Sequence, residues 1–226
     1  MSRDDQELRD LILLASLPHM VFEGWSVAAM EAGIGDLKDM AEIDADTAGR
    51  AFPGGMADMA EHFSDWADRR MLAEMVKLDM EALKVRERVA AGVRCRLEAL
   101  GPYREAVRRC LTYMTLPQNA GLSMKCTCKT VSEIWYAVGD ESADFSFYSK
   151  RALLVPVLGA TTLYWLGDEG DEDGDFPETW SFLDRRVGDV VNIFQARVKL
   201  SKRLAEIPSP ITILKRFAAA AAQARR

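Results

Sequence analysis

The sequence predicts an all-α protein. Apolar residues recur at three- and four-residue spacing along most of the 226 residues, and no alternating strand pattern of useful length interrupts them. Prolines and glycines fall between these periodic segments, where helices are expected to end. Hydrophobic residues make up 49% of the chain and charged residues 28%, a balance typical of a folded globular domain and not of a disordered one.

The first 55 residues predict three short helices. The first helix is amphipathic and is expected to end near Pro18. Ser26 can cap the second helix, which Gly33 and Gly35 are expected to interrupt. Three short helices broken by glycines indicate a degenerate helix-turn-helix head over residues 1–55.

Such a head raises the alternative of a ligand-responsive transcription regulator. The candidate recognition segment is residues 44–52, where Asp44 or Asp46 can cap a helix. Residues 1–55 carry four basic side chains against eleven acidic ones, a net charge of -7. Because DNA-binding proteins draw most of their affinity from neutralised phosphates, this charge argues against nucleic acid as a partner.

Longer helices are predicted between residues 56 and 207. Pro102 and Pro117 mark two helix ends. Asp144 can cap a following helix that contains Pro156, and Pro177 is expected to start a long last helix of this domain. An interior proline removes one backbone hydrogen bond and bends the helix, so a kink is expected at Pro156.

These helices carry many large apolar side chains and predict an elongated apolar cavity, because a kink at Pro156 would open a helix pair. The residues expected to line the cavity are Leu111, Met114, Phe147, Leu154, Leu158, Trp165, Val187, Phe194 and Val198.

Motifs of catalysis and metal binding are not found, and we expect a protein that is not an enzyme and carries no cofactor or metal. His19 and His62 are the two histidines, and neither has a Glu three residues before it, as di-iron bundles require. Cys126 and Cys128 lack the Cys-x-x-Cys spacing of zinc and redox sites, so a plain helix face is favoured there. Residues 169–174 imitate the start of a calcium loop but lack the bidentate Glu at its twelfth position.

Residues 133–151 hold aromatic side chains that spread over too many helix directions for one buried stripe, so some are expected at the surface. Exposed aromatics flanked by charges are typical of a protein-binding patch. The alternative is a helix corner at which Asp140 and Asp144 serve as caps. The residues predicted for the patch are Trp135, Tyr136, Asp140, Asp144, Phe145, Tyr148, Lys150 and Arg151.

The end of the chain predicts a separate amphipathic helix within residues 208–226. Residues 199–226 carry seven basic side chains against one acidic one, a net charge of +6. A basic helix with one apolar face suits an anionic membrane surface, although its apolar face could instead dock on the protein or on a dimer mate. The residues predicted to contact the membrane are Ile211, Ile213, Leu214, Lys215, Arg216 and Phe217.

The start of the chain is acidic and opens directly into an amphipathic pattern, which is unlike a secretory signal or an organelle presequence. The sequence contains no run of about 18 apolar residues, so no membrane-spanning helix is predicted. These features predict a bacterial-type cytoplasmic protein that associates peripherally with membranes.

Several stretches between about residues 20 and 190 match the pattern of a known family. The clearest are Ile134-Trp135-Tyr136-Ala137, Gly139-Asp140, Asp144-Phe145, Tyr148-Ser149-Lys150-Arg151-Ala152 and Thr179-Trp180-Ser181-Phe182-Leu183-Asp184-Arg185-Arg186. Further matches are Gly24-Trp25, Phe52-Pro53-Gly54-Gly55, Lys84-Val85-Arg86-Glu87-Arg88-Val89 and Leu116-Pro117-Gln118-Asn119-Ala120. In these stretches the chain resembles the ubiquinone (coenzyme Q) biosynthesis accessory proteins, whose fold is tetracycline-repressor-like.

The resemblance implies a homodimer that binds ubiquinone-pathway lipid intermediates in its helical domain. It also implies a protein partner, the di-iron hydroxylase that acts on demethoxyubiquinone, to which a bound polyprenylated quinone is presented. The family's surface for that enzyme corresponds to Trp135, Tyr136 and Asp140 here. Pro156 and the pair of Cys126 and Cys128 depart from the family's usual pattern.

Overall fold

The structure is a computed structural model that describes residues 3–41, 45–139 and 145–206. Within these ranges the chain forms nine α-helices and no strand, which confirms the all-α prediction. The helices are α1 (Arg3–Glu23), α2 (Val27–Ala41), α3 (Ala45–Ala51), α4 (Gly55–Met75), α5 (Val85–Ala99), α6 (Arg104–Met114), α7 (Ala120–Ala137), α8 (Phe145–Gly167) and α9 (Pro177–Glu206). Short 3-10 turns, Gly101–Tyr103 and Pro117–Asn119, precede α6 and α7.

The first helix does not end at Pro18, as the sequence predicted, but continues to Glu23. Pro18 lies on the exposed side of α1, where water can bond the carbonyl that loses its partner. On the opposite side Leu17 and Met20 are buried, one on each side of the proline in the sequence. The burial of this face continues past Pro18 and stabilises the helix although one backbone hydrogen bond is missing there.

The second helix is also longer than predicted, since α2 runs without interruption through Gly33 and Gly35. The Ser26 hydroxyl accepts a hydrogen bond from the Ala29 amide at 3.3 Å, so the predicted cap is confirmed. A Cβ at Gly33 would lie 2.6 Å from the backbone N and Cα of Ser16 on α1. Gly33 therefore marks a close crossing of two helices and not a helix break.

Three boundaries predicted from prolines are confirmed. The helix α5 ends at Ala99, shortly before Pro102, and α6 ends at Met114, shortly before Pro117. Pro177 is the first residue of α9, where its missing amide hydrogen has no intrahelical partner to lose.

The core forms around α4, which packs against α5 and α7, while α8 packs against α7 and α5. Phe63 on α4 stacks between Trp25 and Trp66, with ring centroids 5.6 and 6.3 Å away. All three rings are buried, and Ile134 of α7 is fully buried as well. Burying a large apolar side chain contributes about 1.5–3 kcal/mol, so these contacts hold the helices that surround the site described below.

The chain divides into two compact units, Met1–Val187 and Gly188–Arg226. The described part of the second unit is the remainder of α9. The predicted linker and the membrane-contacting residues 211–217 lie outside the described residues, so membrane contact and the boundaries at residues 55 and 207 stay predictions. In the described part of the chain, no helix has an apolar stretch long enough to cross a membrane.

A buried histidine joins α4 to α1 and predicts a pH dependence of stability. His62 Nε2 lies 2.7 Å from Asp10 Oδ1, and Asp10 also accepts a hydrogen bond from Arg69. Burial, helped by the positive charge of Arg9, lowers the pKa of His62 below its ordinary value of 6.5. Below that pH the unfolded chain takes up a proton that folded His62 does not, so the free energy of unfolding is expected to fall as the pH drops below about 6.5.

Urea unfolding curves of the His62→Gln variant, measured between about pH 5.5 and 7.5, test this prediction. The variant is expected to lose part of the slope of stability against pH below about 6.5. His19→Gln is the matched control, because His19 is a partly exposed histidine that lies 2.6 Å from Asp36. Equal slopes for the parent and His62→Gln would contradict the assignment to His62.

Candidate functional site

A largely apolar cavity of about 340 Å³ lies among helices α4 to α8 of the first unit. Every one of these five helices contributes to the wall. The lining residues are Ala60, Phe63, Ser64, Ala67, Arg96, Leu100, Val107, Cys110, Leu111, Met114, Thr115, Ser123, Cys126, Thr127, Thr130, Leu158, Gly159, Thr162 and Leu163. Small-molecule sites in proteins typically measure about 300–1,000 Å³, so the space suits a small ring or a short stretch of a longer molecule.

The structure places the predicted cavity residues in three groups. Leu111, Met114 and Leu158 line this cavity. The others whose side chains are described do not line it, because they are packed in the core. These are Leu154, Trp165 and Val187, of which Trp165 packs edge-to-face on Phe176 at 6.2 Å. The side chains of Phe147, Phe194 and Val198 lie outside those that the structure describes.

One wall of the cavity is polar, and the sequence did not predict it. Arg96 of α5 donates from Nε to Asp68 Oδ1 of α4 at 2.8 Å and from Nη2 to the Ser64 hydroxyl at 3.2 Å. Thr130 of α7 donates its hydroxyl to the same carboxylate at 2.9 Å. Arg96 is 12% exposed and Asp68 is 4% exposed. The sequence places a charged residue on the apolar side of α4 and of α5, namely Asp68 and Arg96. Because 28 residues separate them, the sequence pattern does not show that they pair.

Two cysteine side chains line the cavity in their protonated form. Burial raises the pKa of Cys110 to about 12 and that of Cys126 to about 11. Since the thiolate is the nucleophile and the metal ligand, both thiols are weak in either role at neutral pH. Cys128 is exposed, whereas Cys126 is buried, so the two cysteines of the Lys-Cys-Thr-Cys-Lys segment have different environments.

The predicted protein-binding patch is partly exposed. Tyr136 and Tyr148 are 61% and 70% exposed, whereas Trp135 is 7% exposed. Trp135 therefore does not lie on the surface of this chain, because it belongs to the buried face of α7. The Lys150 ammonium lies 5.5 Å from the Trp135 ring, and the Arg151 guanidinium lies 5.2 Å from the Tyr136 ring. Asp140, Asp144 and the side chain of Phe145 lie outside the part of the chain that the structure describes.

The acidic loop before α9 uses carboxylates to cap the helix and close the turn. Asp168 accepts hydrogen bonds from the Thr179 amide at 3.1 Å and from the Thr179 hydroxyl at 2.7 Å. These bonds lower the pKa of Asp168. Asp171 accepts from the amides of Asp173 and Asp175. Among the described residues, no group of three or more His, Cys, Asp or Glu side chains is placed to hold a metal ion.

Nine described helices and a largely apolar cavity with one polar wall define a helical protein with an internal cavity. Residues 120–194, which include α7 and α8, match the family model COQ9. The chain is a relative of the COQ9 proteins, which confirms the resemblance seen in the sequence.

Curated relatives extend this similarity over most of the chain. The chain is 30% identical over 196 residues to the ubiquinone biosynthesis protein COQ9, mitochondrial, of Rattus norvegicus, which covers 84% of this chain and 60% of that protein. The protein of the same name from Homo sapiens is also 30% identical, with 84% and 59% covered. That from Drosophila melanogaster is 26% identical over 190 residues, with 82% and 56% covered. The chain thus spans about 60% of the length of the curated relatives it matches.

The predicted cytoplasmic, bacterial-type location is contradicted by these names. The relatives from rat, human and fruit fly are each named as mitochondrial. The prediction depended on the acidic first residues of the chain, and the charge of those residues does not determine the compartment in which a protein works.

Proposed function

We propose that this chain is a non-enzymatic accessory protein of ubiquinone biosynthesis. It binds a polyprenylated quinone intermediate and presents the lipid to the di-iron hydroxylase that acts on demethoxyubiquinone. The observation that carries the proposal is a largely apolar cavity in a chain whose relatives are named ubiquinone biosynthesis proteins. The homodimer implied by the sequence resemblance belongs to the same proposal.

The cavity suits one part of such a lipid better than the whole. A volume of about 340 Å³ lies near the lower end of the range for small-molecule sites, so a ring and the first part of a tail fit inside. Gly159 and Leu163 of α8 line the cavity and are exposed, so this wall reaches the protein surface. A long polyprenyl tail would leave the cavity there.

The aromatic surface beside α7 and α8 suits a protein partner. Tyr136 and Tyr148 are exposed tyrosines, and Arg151 lies against the Tyr136 ring. Tyrosine, tryptophan and arginine are enriched among the residues that carry most of the energy at protein interfaces. Since Trp135 is buried, Tyr136 is the residue of this pair that can contact the hydroxylase without a change in the fold.

A cavity-filling variant tests the lipid-binding part of the proposal. Gly159 lines the cavity, and a Cβ added there meets no atom within 4 Å, so Gly159→Phe is expected to fold and to occupy the space of the lipid. The purified parent protein is extracted with organic solvent, and the extract is analysed by mass spectrometry. The parent is expected to release an isoprenoid quinone or a precursor of one, and Gly159→Phe is expected to release much less.

Gly121→Phe is the matched control, because Gly121 also lies in a helix with open space around its Cβ and does not line the cavity. It is expected to release as much lipid as the parent. Recovery of no lipid from the parent, or of polar metabolites alone, would overturn the proposed function. Equal release from Gly159→Phe and Gly121→Phe would place the lipid outside this cavity.

A further inference from the structure

The polar wall of the cavity has hydrogen-bond donors left over on Arg96. Arg96 uses Nε on Asp68 and Nη2 on Ser64, and within the described part of the chain its Nη1 has no partner. Asp68 already accepts bonds at both oxygens, from Arg96 and Thr130. The cluster therefore offers a donor to a bound molecule, while its acceptors are in use.

The charge of this cluster selects among headgroups. The guanidinium of Arg96 is paired with the carboxylate of Asp68, so the two charges cancel. Two further acidic residues of α4, Glu61 and Asp65, pair with Lys125 and Lys129 of α7, so these charges cancel as well. A neutral oxygen such as a ring carbonyl can accept from Nη1, whereas a phosphate would lose its hydration without gaining an unpaired cation.

The α8 side of the cavity is open. Leu163 lines the cavity and is 67% exposed. Leu116 and Met124, which follow the lining residues Thr115 and Ser123 in the sequence, are also exposed. The cavity lining thus includes a largely buried polar group at Arg96 and an exposed apolar side chain at Leu163.

We infer that the lipid binds with its headgroup inside, where a neutral ring oxygen accepts a hydrogen bond from Arg96, and with its tail leaving past Leu163. The inference rests on the proposed function and adds the orientation of the lipid and the class of headgroup. Asp68 acts as a positioning residue, because it binds the guanidinium of Arg96 and does not line the cavity, and Thr130 in turn donates its hydroxyl to Asp68.

Calorimetric titration of the full chain with three probes tests this orientation. The probes are decyl-ubiquinone, the same quinone ring without a tail, and decyl phosphate. The paired variant Asp68→Asn with Arg96→Gln removes the donor without leaving one charge unpaired. This variant is expected to bind decyl-ubiquinone and the tail-less ring about tenfold more weakly than the parent, which is the effect of losing one hydrogen bond from a charged donor. Decyl phosphate is expected to bind the parent more weakly than decyl-ubiquinone.

Two further variants separate the head end from the tail end. Leu163→Ser is expected to weaken the binding of decyl-ubiquinone about fourfold, the contribution of roughly one buried methylene, and to leave the binding of the tail-less ring unchanged. Arg96→Lys keeps the charge pair but removes the planar donor set, so it is expected to weaken binding of the same two probes. It replaces the paired variant in the test if the paired variant folds poorly. Asp65→Asn with Lys129→Gln is the matched control, because it removes another charge pair of α4 that does not line the cavity, and it is expected to bind like the parent.

The outcomes distinguish this inference from the proposed function. Failure of the parent to bind decyl-ubiquinone would overturn both. If Gly159→Phe abolishes the binding of decyl-ubiquinone but the Arg96 variants bind it as the parent does, the orientation alone would be overturned. Tighter binding of decyl phosphate than of decyl-ubiquinone would overturn the neutral headgroup.

Discussion

Replacement of Asp68 by alanine is expected to lower the free energy of unfolding by about 3–5 kcal/mol. The substitution removes the carboxylate that pairs with Arg96 at 2.8 Å and leaves the guanidinium largely buried without a counter-charge. It also removes the acceptor of the Thr130 hydroxyl, which is 1% exposed. A buried charge that loses its partner costs far more than the pair contributes, so this effect should exceed that of any surface ion pair. Urea unfolding followed by circular dichroism measures it.

Asp65→Ala is the matched control for this experiment. Asp65 lies on α4, as Asp68 does, and joins it to α7 through a 2.6 Å ion pair with Lys129, but the lysine is 45% exposed. Water can replace the lost partner there, so the free energy of unfolding should fall by at most about 1 kcal/mol. Similar losses for the two variants would mean that water reaches the Asp68–Arg96 pair, and the description of this wall as buried would be wrong.

Gly33→Ala is expected to destabilise the protein by about 3 kcal/mol or more, although alanine is the better helix former. The added Cβ would lie 2.6 Å from two backbone atoms of Ser16, and a backbone cannot give way as a flexible side chain does. The helices α1 and α2 would have to separate, which loosens the buried contacts of Leu17 and Met20. The melting temperature and the urea midpoint both report this change.

Gly35→Ala, two residues further along α2, should have the opposite sign. A Cβ at Gly35 meets nothing within 4 Å, so the gain in helix propensity of about 0.5–1 kcal/mol is expected to appear as added stability. If Gly33→Ala were also stabilising, the close crossing of α1 and α2 would not exist in solution.

Sequence patterns predicted the helices that local chemistry determines. Pro102, Pro117 and Pro177 fall at helix ends because proline acts on its own backbone, and Ser26 caps α2 through an amide three residues away. The predictions at Pro18 and Gly33 were wrong, because both residues lie inside helices that tertiary contacts stabilise. The spacing of residues along one helix does not tell which side of a proline faces solvent or how closely a second helix approaches.

The candidate site was predictable to a similar extent. Large apolar residues at helical spacing identified Leu111, Met114 and Leu158, which line the cavity. The same criterion selected Trp165, which is packed in the core, because composition does not distinguish a cavity wall from a filled interior. The polar wall was missed since Asp68 and Arg96 lie on different helices, and no local motif connects them.

The protonated thiols of Cys110 and Cys126 bear on how long a quinone bound as proposed would survive in the cavity. A quinone ring is an electrophile, and a thiolate beside it would add to the ring and convert a transient ligand into a permanent adduct. Because the pKa values of these two thiols lie near 12 and 11, their nucleophilic form is scarce at neutral pH. If the cavity holds the proposed quinone, its ring can therefore be released chemically unchanged, which is what delivery to a second protein would require.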